Sequence, residues 1–299
     1  TSRMQQRNFQ ETELVSEGYS RTMNGHPGIL PKIGVFMATI FALAPLVFMA
    51  LSSVRIRNRT TDSYRWSLEA WEYAFQGDLS YVSVPEALTN SLVYATGCLL
   101  LSCTLGFFVA HSIHTLEKQN RKKLAQTIDV LSMLPLALSG VMVGLGVLLG
   151  TLKIWPELFN FYGLPILPHA MLTTPFVIRI LLPAMREIDP DYEAMGMVLG
   201  FNAIQRFLKI KIPLLKPQIV VASALSMAFS LGEFGASWVL LRSGAWDTLP
   251  VLVDQLMSRP KYFELVTPIA MASATVLMCT TFLLFVIAER FRTHKGGGF

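Results

Sequence analysis

The sequence predicts an all-α membrane protein with six spanning helices, and three observations carry that prediction. Only 15% of the 299 residues are charged, against 52% hydrophobic, and the mean hydropathy is +0.46. A soluble domain usually carries about 25% charged residues, so this chain lacks the charges to coat a water-facing surface. The apolar residues gather in blocks of about 20, the length a helix needs to cross a bilayer. Gly and Pro are frequent inside those blocks. That suits closely packed transmembrane helices, and the alternating pattern of a membrane β-barrel is missing. The same composition excludes a disordered chain and a soluble enzyme.

The first block, Ile33–Val54, holds no charge along its length. The second, Ala87–Ile113, is interrupted only by uncharged polar residues and His111. The third, Ile128–Leu152, opens with Asp129 and carries Pro135, Gly140, Gly144, Gly146 and Gly150. The fourth, Ile166–Met185, contains Pro168, Pro175 and Pro183 and a single charge, Arg179. The fifth, Ile219–Leu241, holds Glu233, and the sixth, Val266–Ala288, is free of charge until Glu289-Arg290.

An even number of spans puts both termini on one side. With that side taken as the cytoplasm, the inside segments carry about twice as many Lys and Arg as the outside ones, as the positive-inside rule expects. The cluster Arg55, Arg57 and Arg59 runs against the trend. The net charge of +5 therefore reflects cytoplasmic loops, not nucleic-acid binding. The basic stretch from Lys118 to Lys123 is the inside flank of the second span. Cys98, Cys103 and Cys279 lie within apolar blocks without metal-ligand spacing. Residues 1–28 are polar and lack the apolar core of a signal peptide.

The loop between the fourth and fifth spans, residues 186–218, reads as two short helices with a break. Asp189 suits an N-cap and Pro190 the first helical position, with Asp191 and Glu193 near the positive end of the dipole. Gly200 permits the left-handed conformation that closes this helix. Asn202 and Gln205 have capping-box spacing for the next one. There Ile204, Phe207 and Leu208 line one face, and Pro213 is expected to end the element.

In this loop Gly200 precedes Ile210-Lys211-Ile212-Pro213 at a spacing that resembles the signature of permease subunits of bacterial ATP-binding-cassette importers. That signature is Glu-Ala-Ala, three residues, Gly, nine residues, then Ile, any residue, Leu, Pro. Gly200, Ile210 and Pro213 fall in register and Ile212 replaces Leu. The first part departs: Ala194 stands at the Glu position with Glu193 one residue earlier, and Met195 and Gly196 replace the two alanines. The resemblance covers roughly residues 85–290. It implies a type I importer permease fold in which this loop forms a cytoplasmic coupling helix, with Glu193, Ala194, Gly196, Gly200, Ile204, Phe207, Ile210 and Pro213 as the coupling residues. Residues 1–32 then form a polar cytoplasmic lead or linker, 33–290 the six-helix permease domain, and 291–299 a cytoplasmic tail.

The implied partners are two ATPase subunits, a second permease half, an extracytoplasmic substrate-binding protein docking on loops such as 242–265, and the bilayer. The second half is this same chain, a separate subunit or a fused segment. The chain lacks Gly-x-x-x-x-Gly-Lys-[Ser/Thr], the loop that holds nucleotide phosphates. ATP and Mg are accordingly expected on the partner, no cofactor on this chain, and the location is a bacterial inner membrane. Gly296-Gly297-Gly298 is a terminal run with no strand before it.

Glu233 sits in Ser230-Leu-Gly-Glu-Phe-Gly-Ala-Ser237. A carboxylate in mid-membrane costs about 2.5–3.5 kcal/mol on insertion scales, so it is expected to face a translocation path or gate. Gly232 and Gly235 allow close helix approach or a local break. The structural alternative is a hydrogen bond or an ion pair, with Arg179 as candidate partner. His169 is expected to satisfy an interfacial hydrogen bond, not to hold metal, and no paired catalytic groups appear. The Leu231–Ala236 string looks like that of permeases for ferric iron, thiamine, molybdate and sulfate. Asp247-Thr-Leu-Pro250 and the last span's Ala288-Glu-Arg290 lean towards ferric iron and thiamine, a branch in which two halves are often fused. A chain beginning at Thr1 with a polar lead resembles the second half of such a fusion. The competing reading is a secondary transporter or channel using Glu233 as a proton or cation site.

Overall fold

A computed structural model describes residues 29–58, 62–77, 80, 82–240, 246–260 and 263–293. The polar lead up to residue 28 and the glycine run at 296–298 lie outside these, as do the side chains of Pro190 and Glu193. The chain divides into two compact units, 1–48 and 49–299. Helix α1, Ile29–Val54, runs through the boundary and holds a 24-residue apolar stretch of spanning length. It starts four residues ahead of the expected span.

In the second unit, α1 gives way directly to an antiparallel hairpin, β1 (Arg55–Asn58) and β2 (Ser63–Trp66), which the apolar-block reading missed. The Ser67 N–H donates to the Val54 carbonyl and ties the hairpin back to the helix end. Helix α2, Glu69–Gln76, follows and ends in the left-handed Gly77. Ile56 is buried with Ala70 and Ala74 of α2 in a cluster that also takes in Leu249, Leu252 and Ile269.

Helix α3, Val84–Lys118, is the longest in the fold, and the Glu86 carboxylate accepts the Ser83 N–H at its start. The expected third span is not one straight helix. Helix α4 (Lys122–Met133) continues into a 3-10 turn at Leu134–Ala137, and α5 (Gly140–Ile154) sets off at 101° to it. Pro135 starts the tightened turn, Leu138 is extended, and Ser139 caps α5 by accepting the Met142 N–H at 3.3 Å. The break is written in local chemistry, since Pro135 withholds a backbone donor and Ser139 caps a new helix start four residues on.

Helix α6, Ile166–Glu187, tolerates Pro175 and Pro183 and buries Leu181, Leu182, Val177 and Ile178 against α3. Lipid tails are as apolar as leucine, so such helices gain by close packing. Gly106 of α3 shows it: a Cβ there would lie 2.7 Å from Val177. Helix α7, Pro190–Val198, and α8, Ala203–Arg206, form the loop pair. A π-turn at Phe207–Lys211 joins α8 to α9, Ile212–Gly232. Short α10 (Gly235–Leu240), α11 (Leu249–Met257) and long α12 (Val266–Thr293) complete the chain. Among the described residues, five helices are long and apolar enough to span a membrane, or six when the bent pair around residue 138 counts as one.

Two expectations are corrected here. Pro213 does not end the loop: 30 helical residues run unbroken from Ala203 to Gly232. The π-turn is the reason, because its wider ring, in which the Ile212 N–H reaches the Phe207 carbonyl, makes room for the proline. The fifth span, in turn, is broken at Glu233 and does not run straight to Leu241.

Candidate translocation site and coupling loop

Helix α9 stops at Gly232, Glu233 is extended with φ −74° and ψ 112°, and α10 restarts at Gly235. The Glu233 carboxylate caps the restart, its Oε1 accepting the Ala236 N–H at 2.9 Å. It lies directly over Gly140, the first residue of α5, where an added methyl would run into it. The rest of α10 settles on α5 in the same way. A Cβ on Gly235 would be 2.9 Å from the Val141 nitrogen, and one on Gly144 would be 2.8 Å from the Ala236 Cα. Two broken spans thus meet at their second halves, through glycines that let backbone touch backbone. A Cβ at Gly232 meets nothing within 4 Å, so that residue is not required for the approach.

His169 of α6 supports the break from behind. Its ring is fully buried, with Nδ1 2.7 Å from Ser230 Oγ and Nε2 2.9 Å from Ser237 Oγ. The expectation that it satisfies hydrogen bonds holds, although the partners are buried and not interfacial. Arg179 does not reach Glu233; its Nη1 lies 3.5 Å from Asp129 Oδ2 on α4. Sequence reasoning missed Gly140, Gly144, Ser230 and Ser237. The serines had left a signal, because seven residues apart is one helical face.

The loop pair is built as its caps dictate. Asp189 Oδ1 accepts the Asp191 N–H at 3.0 Å. At the other end Gly200 adopts φ +74°, the Phe201 N–H donates to the Gly196 carbonyl and the Gly200 N–H to that of Met197. These two bonds define a Schellman closure. Asn202 and Gln205 exchange side-chain and backbone hydrogen bonds in a full capping box. Gly196 is the crossing point: a Cβ there would lie 2.6 Å from Ile210 Cδ1. An alanine at this position, as in the signature, would require the ends of the Ile210 and Arg206 side chains to move aside.

The expected stripe divides. Phe207 turns inward onto Phe107, ring centroids 5.3 Å apart, and joins the α3–α6 cluster. Ile204 and Leu208 stay exposed, as do Met195, Met197 and Val198 of α7 and its C-cap Leu199, Val198 being 88% exposed. Ala194 is exposed, Ile210 half-buried and Pro213 exposed. Among the described residues no group of three or more His, Cys, Asp or Glu could hold a metal ion.

These features define a polytopic membrane protein with two broken spans meeting at one carboxylate and a capped helix pair with exposed apolar side chains. Residues 102–293 match the family described as "Binding-protein-dependent transport system inner membrane component", and the chain belongs to it. It is 34% identical over 127 residues to the sulfate transport system permease protein CysT of Salmonella typhimurium, a match covering 42% of this chain and 45% of that protein. The chain thus spans under half the length of that relative. With the putative 2-aminoethylphosphonate transport system permease protein PhnV of Salmonella typhi it shares 26% identity over 257 residues, covering 86% and 92% of the two chains. A chain of the crystal structure of a bacterial alginate ABC transporter in complex with an alginate pentasaccharide-bound periplasmic protein superposes with TM-score 0.64 at 16% identity. It covers 95% of this chain and 96% of that one, which establishes the shared fold.

Proposed function

We propose that the chain forms one half of the translocation path of an ATP-driven importer of a small nutrient or ion. One observation carries this reading: the capped α7–α8 pair, with its exposed apolar side chains, is continuous with a spanning helix that breaks at a carboxylate. A partner ATPase has a surface to push on, and the push has a helix along which to travel. ATP and Mg belong to that partner, two copies of which would serve two permease halves. A soluble binding protein delivers substrate on the opposite face. Both termini lie in the cytoplasm, as the distribution of Lys and Arg favours.

On substrate, two supports stand side by side. The Leu231–Ala236 string is shared by ferric iron, thiamine, molybdate and sulfate permeases, and Asp247–Pro250 with Ala288–Arg290 leans towards ferric iron or thiamine, whereas the relatives are named for sulfate and 2-aminoethylphosphonate. Glu233 serves as a gate residue in either case. The test is uptake into proteoliposomes containing the complex and its binding protein, with ferric iron, thiamine, sulfate and 2-aminoethylphosphonate as competing substrates. Uptake of one of them that stops when the ATPase is inactivated supports the proposal. Uptake that follows a proton or sodium gradient without ATP favours the secondary-transporter reading instead.

A further inference from the structure

Ser230 and Ser237 flank the break at Glu233, one on the last turn of α9 and the other on the first turn of α10. One buried ring touches both, His169 Nδ1 at 2.7 Å and Nε2 at 2.9 Å. A neutral imidazole donates at one nitrogen and accepts at the other, and a hydroxyl can take either role, so both serines are satisfied at once. With its two nitrogens about 2 Å apart and a hydrogen bond on each, the ring bridges oxygens separated by at most about 8 Å.

The spacing of the serines makes this bridge selective. In an unbroken helix, residues seven apart lie on nearly the same face but about 10.5 Å apart along the axis. Straightening the span would leave both hydroxyls pointing at α6 and yet put them beyond the reach of one ring. The bridge therefore exists only while the span is broken. Straightening would also withdraw the Glu233 carboxylate from the Ala236 N–H and from its seat over Gly140. A fully buried ring with one nitrogen unpartnered would add a desolvation penalty to that change.

We propose that His169 is a positioning residue that latches the fifth span in its broken form, holding Glu233 at the junction of α5 and α10 until the transport cycle pulls Ser230 and Ser237 apart. The latch rests on the importer reading for its coupling to ATP, while its geometry can be read independently. Its action needs no titration of the ring, only the exchange of one hydrogen bond.

The experiment places spin labels at Val221 and Trp238, both exposed, in the complex as purified and reconstituted in nanodiscs. Cys98, Cys103 and Cys279 are replaced first, and the background is used once its uptake matches wild type. The wild-type distance should be single and shorter than the roughly 25 Å that 17 residues of straight helix would give. Ser237→Ala, Ser230→Ala and His169→Ala should each broaden the distribution towards that longer value and raise substrate-independent ATP hydrolysis several-fold. Ser226→Ala, which removes a buried hydroxyl on the same helix facing Ser102, should change neither. If His169→Ala fails to assemble, the two serine variants decide. An unchanged distance in the Ser230/Ser237 double alanine variant overturns the latch, as does equal broadening in Ser226→Ala. Absence of ATP-driven uptake in wild type counts against the importer reading alone, because the distances remain measurable.

Discussion

Arg179 of α6 and Asp129 of α4 form an ion pair, Nη1 to Oδ2 at 3.5 Å, and this leaves Glu233 without a cation among its described contacts. The two carboxylates are therefore expected to fail differently. Glu233→Gln keeps an oxygen to accept the Ala236 N–H, so complex yield should stay normal while uptake falls. Asp129→Asn strands the guanidinium and should lower yield, and Asp129→Asn with Arg179→Gln should restore it. Loss of yield in Glu233→Gln, or no recovery in the double variant, would reverse these roles.

Gly144→Ala should cost about 1–3 kcal/mol of stability, because the new methyl would meet Ala236 backbone, which cannot rotate away. Gly146→Ala serves as the control. Nothing lies within 4 Å of its Cβ, so the change should be neutral or slightly stabilising through helix propensity. Thermal unfolding of the purified complex compares the two.

Gly200 has open space around it, so a side chain there is opposed by the backbone alone. Gly200→Val should cost about 1–2 kcal/mol in the left-handed conformation and loosen the Schellman closure. The expected result is normal insertion with ATP hydrolysis uncoupled from uptake. Asn tolerates this conformation, and Gly200→Asn should retain most coupling.

Burial pushes the Asp247 carboxyl above its ordinary value, while the Gln255 amide at 2.6 Å opposes the shift. A carboxyl raised in the folded state binds protons more readily there than in the unfolded chain. Stability should therefore be greatest in acid and fall as pH rises from the ordinary carboxylate range through the raised value. Asp247→Asn should flatten that dependence and raise the melting temperature at neutral pH. A melting curve series from pH 4 to 8 reads it directly.

Single-cysteine labels at 120, 205 and 295 should react only from the cytoplasmic side, and labels at 72 and 246 only from outside. A membrane-impermeant maleimide applied to oriented vesicles tests each position, and one reversal breaks the orientation.

Legibility followed the range of the interactions. The caps at Asp189, Gly200 and Asn202–Gln205 act within a few residues, and the sequence displays them outright. The span count was readable from apolar length. What escaped depends on partners far along the chain: Gly140 beneath Glu233, Gly144 against Ala236, and Arg179 choosing Asp129 on a neighbouring helix. Pro213 misled for another reason, since a proline has two outcomes and only the π-turn before it decides between an end and a continuation. The bend at residue 138 stood in plain view as Pro135 and Ser139, but a hydropathy window averages across such chemistry.

The continuity of α8, the π-turn and α9 makes the loop and the fifth span one mechanical part. Thirty helical residues without a joint form a lever about 45 Å long. A tilt imposed at Ala203 arrives at Gly232 as a sideways displacement, without being absorbed by a flexible linker. Phe207 packs on Phe107 near the Ala203 end, and Leu215 and Ala222 bury into the same cluster further along the helix. A tilt of this part would therefore have to slide Leu215 and Ala222 against α3 and α6, so the loop and the break would move together or not at all.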